Sequence, residues 1–295
     1  MTLLPFDTVI VDACLLCLIT DISFTAIAKA ELANDSLMNL KVIYRTSDIH
    51  YSSSPYHFGS RIAIDEKYIY FSIGDRGKQN DAQDKFLPSG KIHRINLDGS
   101  IPIDNPFLDE KGNPSSIYCY GNRNPQGLAF DSSGRLWELE HGPKGGDELN
   151  IIEKGKNYGW PVITYGVNYN GTKITDITHK EGMEQPVWHW TPSIAVCGMK
   201  IYVGEEFPSW NENILVTSLK FEYLERVVVK DRKMVEREII YEPGSRVRDV
   251  EIDTFGNIYV ALENPGRIVK LSKLRSNHCL SAGLERSLPY KDYPQ

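Results

Sequence analysis

Residues 121–161 read GNRNPQGLAFDSSGRLWELEHGPKGGDELNIIEKGKNYGWP. The middle of this stretch, LAFDSSGRLWEL at 128–139, alternates apolar residues, meets an aspartate and a Ser-Ser-Gly turn, and resumes as a second apolar run. That is the pattern of a β-hairpin. It recurs as IAIDEKYIYFSI at 62–73 and VEIDTFGNIYVAL at 250–262. The aspartates Asp65, Asp131 and Asp253 lie 66 and 122 residues apart, the second gap being twice 61. A period of about 60 residues leaves room for several strands per unit, which reads as the blades of a β-propeller carrying insertions. Coincidental hairpins in a β-sandwich are the other reading.

Outward from the repeat, further strand-like runs stand at 40–45, 91–100, 200–207, 213–220 and 226–242, separated by Gly, Asp, Asn and Pro. No amphipathic stretch marks a long helix. The expected class is therefore all-β. With 295 residues the chain can bury one large core. Its net charge of −6, without a run of basic residues, argues against a nucleic-acid surface. No apolar run is long enough to span a bilayer as a helix.

Both ends read differently. Residues 1–22, MTLLPFDTVIVDACLLCLITDI, are apolar but interrupted by Asp7, Asp12 and Asp21, which makes them a poor export signal. Cys14 and Cys17 form a C-x-x-C with no second pair beside it, and read as two apolar residues. Five cysteines in all cannot pair completely within one chain. Residues 272–295 read as a polar tail.

The 121–161 stretch also holds the densest chemistry. Gly142-Pro143 and Gly145-Gly146 allow sharp turns that bring carbonyl oxygens near a ligand, and Asp147-Glu148 follow at once, a setting suited to Ca²⁺. A turn merely capped by the two acids is the plainer alternative. Arg123 and Asn124 precede the hairpin. His57 lies in PYHFGSR, and Asp75 closes the next strand in SIGDRG, where a carboxylate would orient the imidazole and raise its basicity. A lone histidine is more often structural. Arg246 and Arg248 are two apart, so on a strand they share a face and favour an anion site over pairing with Asp249 or Glu251.

The motifs NRNPQGLAF, EHGPKGGDELN and GKNYGWP, in this order, resemble the signature of the soluble quinoprotein sugar dehydrogenases, the glucose/sorbosone dehydrogenase family. The resemblance runs from about Thr25 to about Leu271. It implies a six-bladed β-propeller, over residues 23–271 here, with pyrroloquinoline quinone (PQQ) and Ca²⁺ as cofactors. It implies oxidation of an aldose at its anomeric carbon, with an external electron acceptor. His57 would be the general base, with Asp75 supporting it and Arg123 beside the reacting centre. Arg123, Asn124, Lys220 in TSLKF, and Arg246 and Arg248 in SRVRDV would bind the cofactor. Trp190 in WHWTPSIA would either cover its face or belong to the core. Main-chain groups of Gly142 and Pro143 would hold the cofactor's Ca²⁺. Glu148 and the backbone of Tyr158 would hold a second, structural one. Relatives of this kind are periplasmic or secreted.

The departures are specific. Residues 1–22 resemble nothing in the family, whose first blade and start of the second have no counterpart here, so an incomplete ring is expected. Val196-Cys197 stand where relatives tend to have Pro-Ser, Pro88-Ser89 replace a bulkier pair, and Asn122 replaces a histidine. A propeller remnant that binds cofactor or calcium without catalysis, and a propeller module binding glycans or proteins, are the alternative readings.

Overall fold

A computed structural model describes residues 8–17 and 22–273, with side chains from residue 23 onward. The Cys14-x-x-Cys17 side chains and the tail beyond residue 273 lie outside the described residues.

Five antiparallel sheets follow one another along the chain. The first holds β1 (Thr8–Cys17), β2 (Ile22–Ala33) and β3 (Ser36–Arg45). The second holds β4 (Ile62–Ile64), β5 (Tyr68–Ile73), β6 (Lys91–Asn96) and β7 (Ile117–Tyr120). The third holds β8 (Pro125–Phe130), β9 (Leu136–Glu140), β10 (Asp147–Ile152) and β11 (Trp188–Trp190). The fourth holds β12 (Val196–Ile201), β13 (Ile214–Ser218), β14 (Leu224–Lys230) and β15 (Lys233–Tyr241). The fifth holds β16 (Val247–Ile252), β17 (Ile258–Leu262) and β18 (Arg267–Leu271). Each sheet is a meander of sequential neighbours. β4 packs on β8, β8 on β12, and β12 on β16. These are blades of a β-propeller of the six-bladed type, an incomplete ring of five sheets among the described residues.

The repeated motif forms the hairpins β4–β5, β8–β9 and β16–β17. Each aspartate folds its carboxylate over the turn that follows. Asp65 Oδ1 accepts from the main-chain N–H of Lys67 and Tyr68, Asp131 Oδ1 from Ser133 and Arg135, and Asp253 Oδ1 from Phe255 and Asn257. These bonds satisfy turn donors that would otherwise need water, which is why one residue type recurs there.

Stacked sheets bury both faces of their inner strands, so β9 and β13 are buried along their whole length, whereas the outer strand β15 is largely exposed. The apolar seams lie between successive sheets. Ile27 meets Ile69, Phe71 and Ile95 between the first and second, and Leu139 and Leu149 meet Val216 and Val227 between the third and fourth. One ion pair crosses the centre of the molecule: Arg61 Nη1 lies 3.2 Å from Asp249 Oδ2, joining the second and fifth sheets.

Two elements differ from the sequence reading. The run 226–242 is two strands, not one, because Asp231 and Arg232 both take positive φ and close a tight β14–β15 turn. Within the 1–22 segment, Thr8–Cys17 pairs with β2 along its length.

Candidate active site

His57 sits in the loop between β3 and β4, and that loop is tightly held. His57, Gly59 and Ser60 all have positive φ, at 53°, 70° and 63°. Such a run needs outside support. Asn124 Oδ1 accepts the Gly59 N–H at 3.0 Å, Gln126 Nε2 donates to the Gly59 carbonyl at 3.1 Å, and the Ser60 N–H bonds the Ser72 carbonyl. Gly74 makes the approach possible: a Cβ there would lie 2.1 Å from the His57 carbonyl oxygen.

The loop sets His57 Nδ1 2.5 Å from Asp75 Oδ1. Asp75 is fully buried, while the His57 side chain keeps 21% exposure. The same carboxylate accepts the Gly77 N–H on Oδ1 and the Trp160 indole N–H on Oδ2, each at 2.8 Å. An acceptor-only carboxylate on Nδ1 places the neutral ring's proton there and leaves the Nε2 lone pair free. This arrangement can take a proton and stabilise the resulting imidazolium.

Arg123 and Asn124 are both buried beside this pair. The Arg123 Nη1 donates to the carbonyls of His141 and Gly142 at 3.0 and 2.9 Å, its Nε is buried without a partner, and its guanidinium lies 5.4 Å from the Trp160 ring. The main-chain N–H groups of Arg123 and Asn124 both bond Glu140 Oε2. His141 marks the meeting point. Burial, then the charges of Arg123, His57 and Arg248, hold its pKa down at about 3.

Arg246 and Arg248 converge, but on Glu263 rather than on Asp249 or Glu251. Asp249 pairs with Arg61, and Glu251 with Lys200. Arg248 and Arg61 also direct N–H groups at Cys197 Sγ, at 3.6 and 3.3 Å. Two guanidiniums on one carboxylate leave an excess positive charge. Lys220 is exposed just past β13, with its ammonium over Phe221 and its N–H on the Ile194 carbonyl.

Trp190 belongs to the core. It is 2% exposed, its indole N–H bonds Glu225 Oε1 at 2.8 Å, and Arg237 lies over its ring. Of the two expectations, core or cofactor face, its burial and its edge bond to a buried carboxylate favour the core.

The β9–β10 turn carries the Gly142–Glu148 segment. Asp147 is buried and consumed by that turn and the next loop, accepting from the Gly142 N–H, the Ser193 hydroxyl and the Ile194 N–H. Pro143 is buried in the same turn. Behind it lies an acid cluster. Glu148 stands directly across from Glu140 in the sheet, and Asn150 across from Glu138. Like charges in register repel. Burial first, then mutual repulsion, pushes the carboxyls of Glu138 and Glu148 well up, and burial raises that of Glu140 to about 7. Glu138 Oε1 and Asn150 Oδ1 are buried without partners.

A cavity of about 10 Å³ adjoins the cluster, lined by Glu140, Glu148, Gly142, Tyr158 and Thr164 among others. That is room for one ion or one water. Among the described residues no three His, Cys, Asp or Glu side chains converge as a metal site, so a cation here would be held by two carboxylates plus main-chain oxygen. Carboxylate and main-chain oxygens are the hard donors that Ca²⁺ takes; the unpartnered Glu138 and Asn150 oxygens belong to the same acid cluster but not to the cavity lining, which Arg123 also joins. The Gly142 carbonyl itself faces Arg123. The Tyr158 hydroxyl is spent on the Ile151 carbonyl and the Glu153 N–H, leaving only its main chain.

Sequence reasoning gave no role to Trp160, Glu138 or Arg61, and marked Glu140 and His141 only as polar groups of the 121–161 stretch. Glu138 and Glu140 were legible as inward acids on WELE, alternating with apolar residues on a strand buried on both faces. Trp160 had no local signal beyond its place in GKNYGWP.

The match to a family model described as Glucose / Sorbosone dehydrogenase spans residues 20–270. Aldose sugar dehydrogenase YliI of Escherichia coli (strain K12) is 39% identical over 256 residues, covering 84% of this chain and 68% of that protein. A crystal structure of a glucose dehydrogenase superposes with a TM-score of 0.85 at 34% identity, over 92% of this chain and 80% of that one. The PQQ-bound form of aldose sugar dehydrogenase from Streptomyces coelicolor superposes with a TM-score of 0.64 at 25% identity, over 86% of this chain and 76% of that one. Fold, motifs and a family match over most of the length agree: the chain belongs to the glucose/sorbosone dehydrogenase family of oxidoreductases.

Proposed function

We propose that this protein oxidises aldoses at the anomeric carbon, to the lactone, with PQQ and Ca²⁺ as cofactors. The observation that carries the reading is the His57–Asp75 pair, with a free Nε2 beside buried Arg123. His57 Nε2 takes the proton of the anomeric hydroxyl, and Asp75 stabilises the imidazolium that forms. PQQ, when bound, would supply the two-electron acceptor for the hydride leaving that carbon. Arg123, Asn124, Arg246, Arg248 and Lys220 would hold its carboxylates and quinone oxygens, since fixed cations match such anionic groups. Main-chain groups of Gly142 and Pro143 would hold one Ca²⁺. Glu148 and the Tyr158 main chain, with Glu140 beside them, would hold the other. An external acceptor then takes the electrons. The same family reading supports a periplasmic or extracellular location.

A second reading, a remnant that binds cofactor without turnover, is favoured by one observation: the described residues form five sheets of a ring that needs six. One experiment separates the two. The purified chain is loaded with PQQ and Ca²⁺, and its absorption spectrum is recorded before and after glucose. Conversion of the oxidised to the reduced spectrum supports the enzyme. Binding without reduction supports the remnant. A folded chain that binds no PQQ would end both.

A further inference from the structure

Asp75 is held at both oxygens, and the second hold comes from a residue 85 positions away. Oδ1 is shared between His57 Nδ1 and the Gly77 N–H, while Oδ2 accepts the Trp160 indole N–H at 2.8 Å. Trp160 is itself clamped. Its N–H donates to the Gly121 carbonyl at 2.9 Å, and its carbonyl accepts from Gln83 Nε2 at 2.7 Å. One side of its ring carries the Arg123 guanidinium. A buried tryptophan is ordinarily core, yet Trp160 belongs to none of the four apolar clusters that join the sheets. Its side chain instead meets two groups of the site, Asp75 and Arg123.

We propose that Trp160 is a positioning residue: its indole N–H fixes the Asp75 carboxylate so that Oδ1 meets His57 Nδ1 and Nε2 stays turned toward substrate. What Nε2 deprotonates rests on the aldose reading above; the positioning does not. The physical consequence has a sign. Without the indole donor, ionised Asp75 would keep one buried oxygen unsatisfied and lean harder on the His57 proton. His57 would then hold that proton to higher pH.

Other charges also face the pair. His141 lies within reach of the charges of His57, Arg123 and Arg248. Asp81, Lys91 and Glu140 interact with Asp75. Arg76, next in sequence, is directed to Ser23 and the Ser54 carbonyl. A Trp160→Phe substitution changes none of these charges, so a shift reports the lost N–H.

The test is a titration of the His57 imidazole by NMR, in the whole chain without cofactor or sugar, with His57→Gln providing the assignment. Trp160→Phe should move the His57 midpoint upward by about one pH unit, the size expected from one hydrogen bond to a charged group. A merely structural role would lower the melting temperature and leave the midpoint in place, and that result overturns the proposal. If Trp160→Phe does not fold, a benzothienyl analogue at 160, which keeps the shape and replaces the N–H with sulfur, gives the same two outcomes. An upward midpoint in a protein that never reduces PQQ with any aldose would uphold the positioning and defeat the aldose reading.

Discussion

At the scale of residues, the fold gives His57 and Asp75, the proposed base and its support, different surroundings: one partly open, one fully buried. Asp75→Asn keeps the shape but presents an uncharged partner to Nδ1. Turnover should fall by about 10²–10⁴-fold while PQQ binding, followed by absorbance, is retained. The acid cluster makes a separate prediction. Glu140 and Glu148 face each other with no ion pair among the described residues, so bound Ca²⁺ should stabilise the fold. Removing it with a chelator should lower the melting temperature measurably. The Glu140→Gln/Glu148→Gln double variant should lose most of that response, because it removes the two carboxylates proposed to hold the ion. At this scale the sequence was informative wherever a residue's role follows from its local motif. The pairing of His57 with Asp75 was legible in that way. Trp190 was not, because nothing in WHWTPSIA distinguishes a tryptophan packed on Glu225 from one facing a ligand. The partner of Arg246 and Arg248 was missed for a related reason: Glu263 comes from the far end of the neighbouring strand, not from the arginines' own segment.

At the scale of elements, the repeated hairpin depends on its aspartate. Burial alone would raise the Asp131 pKa, but hydrogen bonds from Ser133, Trp137 and Arg135 outweigh it and hold the carboxyl down at about 2. A folded-state value below the unfolded value, about 3.9, means the ionised form stabilises the fold. That contribution is fully present above about pH 4 and is lost as pH falls through about 2. Asp131→Ala should therefore cost about 1–2 kcal/mol at pH 7, after allowing for solvent screening at the turn. Denaturant unfolding at pH 7 and pH 2.5 should show the gap between wild type and variant closing at the lower pH. The hairpins were readable because a two-residue alternation and a turn aspartate are both local. The break between β14 and β15 was not. Asp231 and Arg232 carry no glycine or asparagine to announce a turn with two positive φ values, and pairing of the flanking strands imposes it.

At the scale of the whole molecule, sheets far apart in sequence meet around a common centre. The Arg61–Asp249 pair is the most direct link across it, yet both side chains keep solvent contact, at 23% and 49% exposure. A double-mutant cycle on Arg61→Met and Asp249→Asn should give a coupling below about 1 kcal/mol by thermal unfolding. The arrangement of the sheets is thus held mainly by the apolar seams between them. The sequence by itself determined the strands, the turn chemistry, the blade period and the family, because each is written in residues close together along the chain. Only the tertiary structure decided which of those residues meet. It put Trp160 on Asp75, set Glu140 opposite Glu148, gave Glu263 to two arginines, and sent Trp190 into the core. Such contacts join residues 8 to 85 positions apart, brought together where strands pair and sheets stack to bury their apolar faces, a consequence of packing that no local pattern encodes.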